Sequence, residues 1–396
     1  MPRSPAPPLS AAGTSTRRVL AALFSSSLGV GVIFGFQPPL IALVLSRMGA
    51  SSFSIGAVSA VGLIAVMLFG PVYPRVIGRL GLKGSVIAGV LAGAVLLLSM
   101  GVRPNVPAWL GLRFLSGCAL GLAWIASEIW MNVASDDASR GRVMGVYGTV
   151  FSIGVVAGPV LLEFTGTRGW QPFACGATLL VLTLVPVVLL RSAPPRRESP
   201  APFSALARVA VFAPIVMIAA AVAGLVESAD LALLPLFGLH AGLGERESLL
   251  ILAVFMTGNV LLQTPIGMLA DRFGRRRLLG YCAFLSALGP LLLPACIHTT
   301  ALLGVLLFVW GGTLYAFYSQ GIALLGEEYP PSQFAPANTV FVMVYCAGGI
   351  IGPTLGGLAM DFWPGIGLPA LLSAAPALLL IGLMGRREPA TPRPPR

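Results

Sequence analysis

The sequence predicts an all-α membrane protein with twelve transmembrane helices in two six-helix halves. Of its 396 residues, 56% are hydrophobic and only 10% are charged, and the mean hydropathy is +0.90. Ordinary soluble domains are far more polar, so part of this apolar surface must face lipid. The charged residues are gathered in short clusters between long apolar runs, and the second half of the chain repeats features of the first.

Each apolar run is long enough to cross a bilayer, which takes about 20 residues of helix. The ninth and tenth runs are separated only by Pro294 and the sequence His298-Thr299-Thr300. Charged and proline-rich breaks place the twelve predicted spans near residues 19–46, 54–74, 84–102, 107–134, 141–163, 170–190, 209–238, 248–270, 278–297, 300–326, 334–360 and 366–385.

The proline-rich segment 192–208 divides the chain, because a helix cannot continue through so many prolines. It is predicted to be a cytoplasmic linker between an N-terminal half, residues 17–191, and a C-terminal half, residues 209–387. Residues 1–16 are rich in Pro, Ser and Ala and are predicted to form a disordered cytoplasmic tail. Residues 388–396 are predicted to form a second cytoplasmic tail.

The distribution of Lys and Arg predicts the orientation. With the N-terminus in the cytoplasm, the predicted inner segments hold 20 of these residues and the outer segments hold 4. Basic residues accumulate in cytoplasmic loops, so both termini are expected inside. The net charge of +11 then needs no nucleic acid as a partner, because the basic residues lie between spans rather than on one face. The lipid bilayer is the expected partner.

The two halves are related by an offset of 192 to 194 residues. This offset aligns Ser127-Glu128 with Ser319-Gln320, Gly158-Pro159 with Gly352-Pro353, and Gly78-Arg79 with Asp271-Arg272. A parallel repeat of two six-helix halves is typical of transporters whose substrate site lies between the halves near the bilayer midplane.

A charged hinge, residues 267–279 with the sequence GMLADRFGRRRLL, joins two uncharged spans. It resembles the loop signature of the major facilitator superfamily of transporters. The matching residues are Gly267, Leu269, Ala270, Asp271, Arg272, Gly274, Arg275 and Arg276. The equivalent loop of the first half, PRVIGRLGLKG, keeps Arg79, Gly81 and Lys83 but has Gly78 where the signature has an acid.

The resemblance extends over most of the chain. Helix 4 opens with the sequence RFLSG at Arg113, and Trp124 and Glu128 further along it resemble an uncharacterised bacterial branch of the superfamily. A glycine–proline pattern that the superfamily associates with proton-driven exporters recurs in helices 5 and 11, as Gly145, Gly154, Gly158, Pro159, Gly348, Gly352 and Pro353. The resemblance implies the superfamily's fold, a bacterial inner membrane and a functional monomer.

Two roles are open for the hinge and for the glycines. Pairs between the hinge arginines and nearby acids would bias a conformational equilibrium, and Asp271 would cap the following helix. Alternatively, the arginines only hold the loop at anionic headgroups. The glycines form a flat strip on which another helix packs closely, and the prolines permit a bend. Tight packing alone is the alternative for that strip.

Four ionisable residues lie inside predicted spans, where burial is costly unless the group is paired or hydrated. Glu227 and Asp230 are three residues apart on helix 7 and share a face, so one of them is expected to take up a proton. Glu128 is a second candidate proton carrier. Arg113 lies about 22 Å before it on helix 4 and is not its partner. The alternative for all four is a structural ion pair or a water-exposed helix end.

Uncharged polar and aromatic residues complete the candidate site. Gln37 corresponds to Asp230 by the repeat, and Gln320 corresponds to Glu128. Asn259 and Gln263 are four apart and face one way on helix 8. With Trp124, Tyr315 and Tyr318, these residues would line a cavity of mixed aromatic and amide character. Packing between helices is the alternative for each of them.

Other chemistries find no support in the sequence. It contains no Walker loop, dinucleotide-binding glycine pattern or zinc-binding helix pair. The five cysteines lie in apolar runs without metal-binding spacing. We therefore expect no enzymatic activity, no cofactor and no metal.

The functional expectation is a secondary active transporter that exports a small organic solute by alternating access in exchange for protons. Proton-coupled uptake of a nutrient or vitamin is the alternative within transport. A receptor or scaffold that keeps the transporter fold without transporting is the alternative from another class.

The orientation can be tested with fusions. Reporters attached after Arg191 and after Arg387 should both report a cytoplasmic location, because basic residues are concentrated on that side. The measurement is alkaline phosphatase activity, which needs export, against green fluorescence, which needs the cytoplasm. An active phosphatase at either site would contradict the predicted even number of spans.

Overall fold

A computed structural model describes residues 9–102, 105–135, 140–190, 214–329 and 331–385. Regular structure in these ranges is entirely helical. The helices are α1 Leu9–Arg47, α2 Ser52–Phe69, α3 Tyr73–Val102, α4 Val106–Ala134, α5 Arg140–Thr165, α6 Gln171–Leu189, α7 Pro214–His240, α8 Glu245–Phe273, α9 Arg275–Cys296, α10 Thr300–Glu328, α11 Pro331–Phe362 and α12 Gly367–Gly385.

Twelve of the described helices are long and apolar enough to cross a membrane, which confirms the predicted fold class. The division between the ninth and tenth spans lies at residues 297–299, close to the predicted position. Helix α1 begins at Leu9, so it includes residues 9–16 of the segment for which the sequence predicts a disordered tail. The predicted linker and C-terminal tail lie outside the described residues.

The structure divides into two compact units. The first unit contains α1–α6 and residues 231–253, from the end of α7 and the start of α8. The second contains residues 214–230 of α7, the remainder of α8 and α9–α12. Helices α7 and α8 thus belong to both units, whereas the sequence repeat divides the chain between α6 and α7.

Glycines allow α1 and α5 to pack backbone against backbone in the first unit. A Cβ on Gly35 would collide with the carbonyl group of Val155, and a Cβ on Gly158 would collide with the backbone of Gly35 and Phe36. Gly31 and Gly154 meet in the same way one turn earlier. Such close crossings are favoured in membranes because small residues maximise dispersion contacts where no hydrophobic force drives association.

The second unit repeats this crossing between α7 and α11. A Cβ on Gly224 would collide with the Tyr345 carbonyl, and one on Gly352 would collide with the Leu225 carbonyl. The predicted glycine strips therefore lie at close helix crossings. Gly145 differs, since a Cβ there would meet nothing within 4 Å.

Two glycines with positive φ form corresponding turns in the two halves. Gly274, at φ 89°, separates α8 from α9. Gly81, at φ 71°, interrupts α3, so the segment before it is a short helix and the segment after it is the third span. Glycine has no Cβ and takes up this left-handed region without strain. The loop before α9 therefore keeps its backbone counterpart in the first half, although the acid is missing there.

The helix crossing can be tested with two alanine substitutions in α5. Gly158→Ala should lower the free energy of unfolding by about 1–3 kcal/mol, because the added methyl overpacks a backbone contact. Gly145→Ala is the matched control and should be neutral or stabilising, because it improves helix propensity in open space. Thermal unfolding of the purified proteins in detergent measures both. Equal unfolding temperatures for the two variants would contradict the role of the crossing.

Candidate functional site

Three aromatic rings and a carboxylate lie together in the first unit. The Phe34 and Phe151 ring centroids are 5.5 Å apart with planes at 63°, and Phe34 meets Trp124 at 5.8 Å and 71°. The rings of Trp124 and Phe151 are nearly parallel, at 12°, with centroids 6.3 Å apart. The Trp124 indole N–H donates to Oε1 of Glu128 at 3.1 Å. All four side chains are half-buried.

The α1–α5 crossing positions these rings. Phe34 follows Gly31 by three residues on α1, and Phe151 precedes Gly154 by three residues on α5. The close backbone approach at these glycines brings the two phenyl rings into contact. Tyr147, one turn before Phe151, is also buried.

A second cluster in the second unit combines a carboxylate with tyrosines. The Tyr345 hydroxyl donates to Oε2 of Glu227 at 2.9 Å, from α11 to α7. The Tyr345 ring meets the Tyr318 ring at 5.1 Å, and Tyr315 lies 6.3 Å from Tyr318. Tyr315 also lies close to Gln263 of α8. The structure therefore brings four of the predicted residues together in this cluster.

Asp230 is fully enclosed one turn after Glu227. Its relative exposure is 0%, and neither carboxylate oxygen has a hydrogen-bond partner within the part of the chain that the structure describes. An isolated ionised carboxylate in such a place costs many kcal/mol, so native proteins pair it or neutralise it.

Arg113 and Gln37 form a separate polar pair in the first unit. The guanidinium donates to the side-chain oxygen of Gln37, and Nη2 donates to the Ser59 carbonyl at 3.3 Å. The Gln37 amide also donates to the sulfur of Met100 at 3.5 Å. Gln37 and Asp230 correspond by the repeat, yet Gln37 is bonded to Arg113, whereas Asp230 has no hydrogen-bond partner among the described residues.

Asn259 and Gln320 are buried, with 6% and 5% relative exposure. They belong to the second unit.

Sequence reasoning missed Phe34, Phe151, Tyr147 and Tyr345. The repeat could have identified Phe34 and Phe151. Tyr345 follows Phe151 by 194 residues, and Glu227 follows Phe34 by 193 residues. The Glu227–Tyr345 contact therefore corresponds to the Phe34–Phe151 contact. Apolar rings in an apolar span carried no separate signal.

The charged hinge is an ion-pair cluster. Arg275 donates to Oδ1 of Asp271 at 3.2 Å and, through Nε, to Oε1 of Glu327 on α10 at 3.1 Å. The sequence predicts that Asp271 caps α9, but the structure does not show this. Gly274 is the N-cap residue of α9, and no side chain forms a capping hydrogen bond there. The acid lies on the last turn of α8 and pairs with the arginine four residues on.

The first-half loop is bonded differently. Lys83 donates to the carbonyls of Val188 and Leu190 at the end of α6. A cation at a helix C-terminus is favourable because the last carbonyls lack helical partners. This loop therefore contacts a helix end through its lysine, whereas the hinge at residues 267–279 forms ion pairs between Arg275 and two acids.

An additional network joins the end of α1 to the start of α8 within the first unit. Arg47 contacts Oε1 of Glu245 at 2.7 Å and donates to Oγ1 of Thr167 at 2.6 Å. The Thr167 hydroxyl donates to the second oxygen of Glu245 at 2.6 Å. Arg246 pairs with Glu163, at the end of α5, at 2.6 Å. Arg47 and Arg246 are two of the four basic residues of the predicted outer segments, and their partners were not predicted from the sequence.

No predicted site residue lines the groove of about 580 Å³ that α2, α3 and α4 form in the first unit. Its lining is apolar, with Tyr73 and Cys118 among the contacts. Within the described ranges, no group of three His, Cys, Asp or Glu side chains is arranged to hold a metal ion.

Comparison with known proteins identifies relatives over nearly the whole chain. A family model described as Major Facilitator Superfamily matches residues 19–259 and 216–396. The uncharacterized MFS-type transporter YcaD of Escherichia coli O17:K52:H18 is 26% identical over 392 residues, which cover 96% of this chain and 98% of the relative. The uncharacterized MFS-type transporter YfkF of Bacillus subtilis 168 is 25% identical over 343 residues, 83% of this chain and 85% of the relative.

Solved structures show the same fold. The crystal structure of the nucleoside transporter NupG aligns with a TM-score of 0.75 at 15% identity, covering 94% of this chain and 98% of that one. A bacterial homolog of the human lysosomal transporter Spinster, in an inward-facing and unoccupied conformation, aligns with a TM-score of 0.69 at 13% identity. It covers 96% of this chain and 94% of that one.

The hinge can be tested by removing either acid bonded to Arg275. Exposed ion pairs contribute about 0.2–1 kcal/mol each, so Asp271→Asn or Glu327→Gln should shift a two-state population by about 1.4- to 5-fold. The reporter is a cysteine introduced at Gln263, in a background with the native cysteines replaced by serine. Its labelling rate is compared for impermeant reagents added to each side of sealed vesicles.

Glu247→Gln is the matched control for the hinge variants. This acid lies at the opposite end of α8, where its carboxylate accepts from the Gly244 amide. Identical two-sided labelling in the hinge variants and the control would show that the hinge does not bias the conformation.

Proposed function

The chain belongs to the Major Facilitator Superfamily, and on that premise we propose that it is a proton-coupled exporter of a small organic solute. It works as a monomer in the bacterial inner membrane, with both termini in the cytoplasm, and it moves its substrate by alternating access. Membership of the family and the bacterial multi-pass relatives support transport itself. The coupling to protons and the direction rest on the intramembrane carboxylates and on the glycine crossing.

The observation that carries the proposal is the enclosed carboxyl group of Asp230. It has 0% exposure and no hydrogen-bond partner for either oxygen in the described structure. Because an ionised carboxylate is far less costly in water than in this position, proton release must accompany its exposure to solvent. A group that holds a proton when enclosed and releases it when exposed couples proton movement to a conformational change.

Glu227 and Glu128 have supporting roles in this proposal. Glu227 lies three residues before Asp230, and its carboxylate is held by the Tyr345 hydroxyl at 2.9 Å. A negative charge at Glu227 favours the neutral form of Asp230, because two nearby carboxylates repel each other. Glu128, held by the Trp124 indole at 3.1 Å, is the second candidate for proton binding.

The direction of transport rests on the glycine crossing between α1 and α5. Gly154 and Gly158 belong to the pattern that the superfamily associates with proton-driven export, and both lie against the backbone of α1. Export predicts that inside-out vesicles accumulate the substrate when their lumen is made acidic. Accumulation only in right-side-out vesicles would instead indicate uptake.

Neutralising Asp230 should separate proton coupling from transport. In proteoliposomes, Asp230→Asn should abolish pH-gradient-driven accumulation, because the amide of asparagine takes up no proton. Exchange of labelled for unlabelled substrate should persist, since it needs no net proton movement. The substrate is the compound that most stabilises the purified protein in a screen of metabolites and drugs.

Two further variants complete this experiment. Glu128→Gln should show the same loss if Glu128 shares the proton. Asp361→Asn, at the exposed end of α11, is the matched control and should transport normally. Undiminished uphill transport by Asp230→Asn would overturn the assignment of Asp230.

A further inference from the structure

The groove between α2, α3 and α4 of the first unit is open to the surface of the protein. Its volume of about 580 Å³ lies within the range of about 300–1,000 Å³ that is usual for small-molecule sites. Four of its lining residues, Phe69, Leu91, Val95 and Leu115, are 37 to 62% exposed and belong to spanning helices. Exposed apolar side chains on spanning helices face hydrocarbon, so the groove opens toward the acyl chains of the bilayer.

A buried hydroxyl lines this groove. Tyr73 is 2% exposed, and its hydroxyl oxygen has no hydrogen-bond partner among the residues that the structure describes. The only other polar side chain in the lining is Cys118. An unpaired hydroxyl in apolar surroundings is unfavourable, and an oxygen atom of a bound ligand would pair it.

The groove lies beside an interruption in the helix. α2 ends at Phe69, residues 70–72 form a turn, and a short helix of residues 73–80 follows. Pro71 and Pro74 have no N–H to donate, so two helical hydrogen bonds are missing here. Non-helical backbone at membrane depth is tolerated where it is buried in protein or lines a cavity.

The short helix connects the groove to two arginines. Val72, Arg75, Val76 and Arg79 are spaced at i, i+3, i+4 and i+7, which places them on one helical face. The Val76 N–H donates to the Val72 carbonyl at 3.2 Å, so this spacing applies from Val72 onward. The two valines line the groove, and both arginines are exposed. An apolar groove that continues into two cations matches a ligand with an apolar tail and an anionic head.

The second unit shows that the shared fold does not require a cavity at this place. By the offset of 192 residues between the fourth and tenth spans, Cys118 corresponds to Trp310. The indole of Trp310 is 1% exposed and packs against Phe255 with ring centroids 4.8 Å apart. A large side chain thus fills the position at which the first unit has a small thiol beside open space.

We propose that this groove binds an anionic phospholipid of the surrounding bilayer. One acyl chain lies between α2, α3 and α4, the Tyr73 hydroxyl donates to an ester oxygen, and Arg75 and Arg79 contact the phosphate. The arginines follow Tyr73 by about 3 and 9 Å of helical rise, which their long side chains and a flexible headgroup bridge. The lipid is bound at the surface of one unit, so the proposal does not depend on the direction or the coupling of transport.

Native mass spectrometry of the purified, delipidated full-length protein measures the binding. The probes are dioleoylphosphatidylglycerol, which is anionic, and dioleoylphosphatidylcholine, which has the same chains and no net charge. Each arginine near a headgroup strengthens the binding of an anionic lipid by about fivefold, so the first probe should bind at least about tenfold more tightly. Equal dissociation constants for the two lipids in the native protein would overturn the proposal.

Replacing both arginines should remove the preference for the anionic lipid. In the double variant Arg75→Gln and Arg79→Gln, the two probes should bind with dissociation constants within about twofold of each other, because the counter-charge is lost. Arg18→Gln removes an exposed arginine from α1 and is the matched control, which should keep the native preference. A preference that survives in the double variant would show that the headgroup lies elsewhere.

Filling the groove should weaken both lipids. Ala92 lines the groove at an exposed position, so Ala92→Trp should lower the affinity for both probes at least about fivefold by occupying the space of the acyl chain. Ala374→Trp, at an exposed position of α12, is the matched control and should bind both lipids as the native protein does. Unchanged affinities in Ala92→Trp would place the lipid outside the groove.

The role of the hydroxyl is tested by Tyr73→Phe. This change should weaken dioleoylphosphatidylglycerol about fivefold through the loss of one hydrogen bond. In thermal unfolding without lipid it should not destabilise the protein, because the hydroxyl has no partner there. Tyr281→Phe, at a 64% exposed position of α9, is the matched control for both measurements. Lower stability without lipid, together with unchanged lipid affinity, would show that the hydroxyl is structural and would contradict its role in binding.

Discussion

The close crossing of helices through glycine underlies the rest of the structure. In the first unit, the contact of α1 with α5 at Gly31 and Gly154 brings Phe34 against Phe151. In the second unit, the equivalent contact of α7 with α11 brings Glu227 against Tyr345. A Cβ at either crossing would separate the backbones and move both side chains apart. The same glycine-mediated helix crossing thus places chemically different side chains at corresponding positions in the two units.

The repeat has diverged where charge matters. Glu128 corresponds to Gln320, and Asp230 corresponds to Gln37, so in each pair an acid stands in one half and an amide in the other. An amide fills the space of a carboxylate but neither takes up a proton nor balances a cation. The proton site that we propose at Asp230 therefore has no acidic counterpart in the first half, where Gln37 stands at the equivalent position.

The sequence predicted the helices and the spans, because composition and loop charge dominate in lipid. It did not predict partners. Arg275 was assigned to the hinge, but its bond to Glu327 joins residues 52 positions apart in sequence. The bond from Arg47 to Glu245 spans 198 positions. Phe34 and Phe151 were overlooked because an aromatic ring in an apolar span differs from its neighbours only once the fold positions it.

Helices α7 and α8 are the two helices that the compact units share. Asp230, whose carboxyl group is enclosed, is the last residue of α7 that belongs to the second unit. Residue 231 begins the segment that belongs to the first unit. Helix α8 likewise begins at the Glu245 ion pair in the first unit and ends at the Asp271 hinge in the second. Ionising Asp230 would require water to reach it, so α7 must change its surroundings near this residue. Because the same helix continues into the first unit, continuous backbone joins the proposed proton site at Asp230 to residues of that unit.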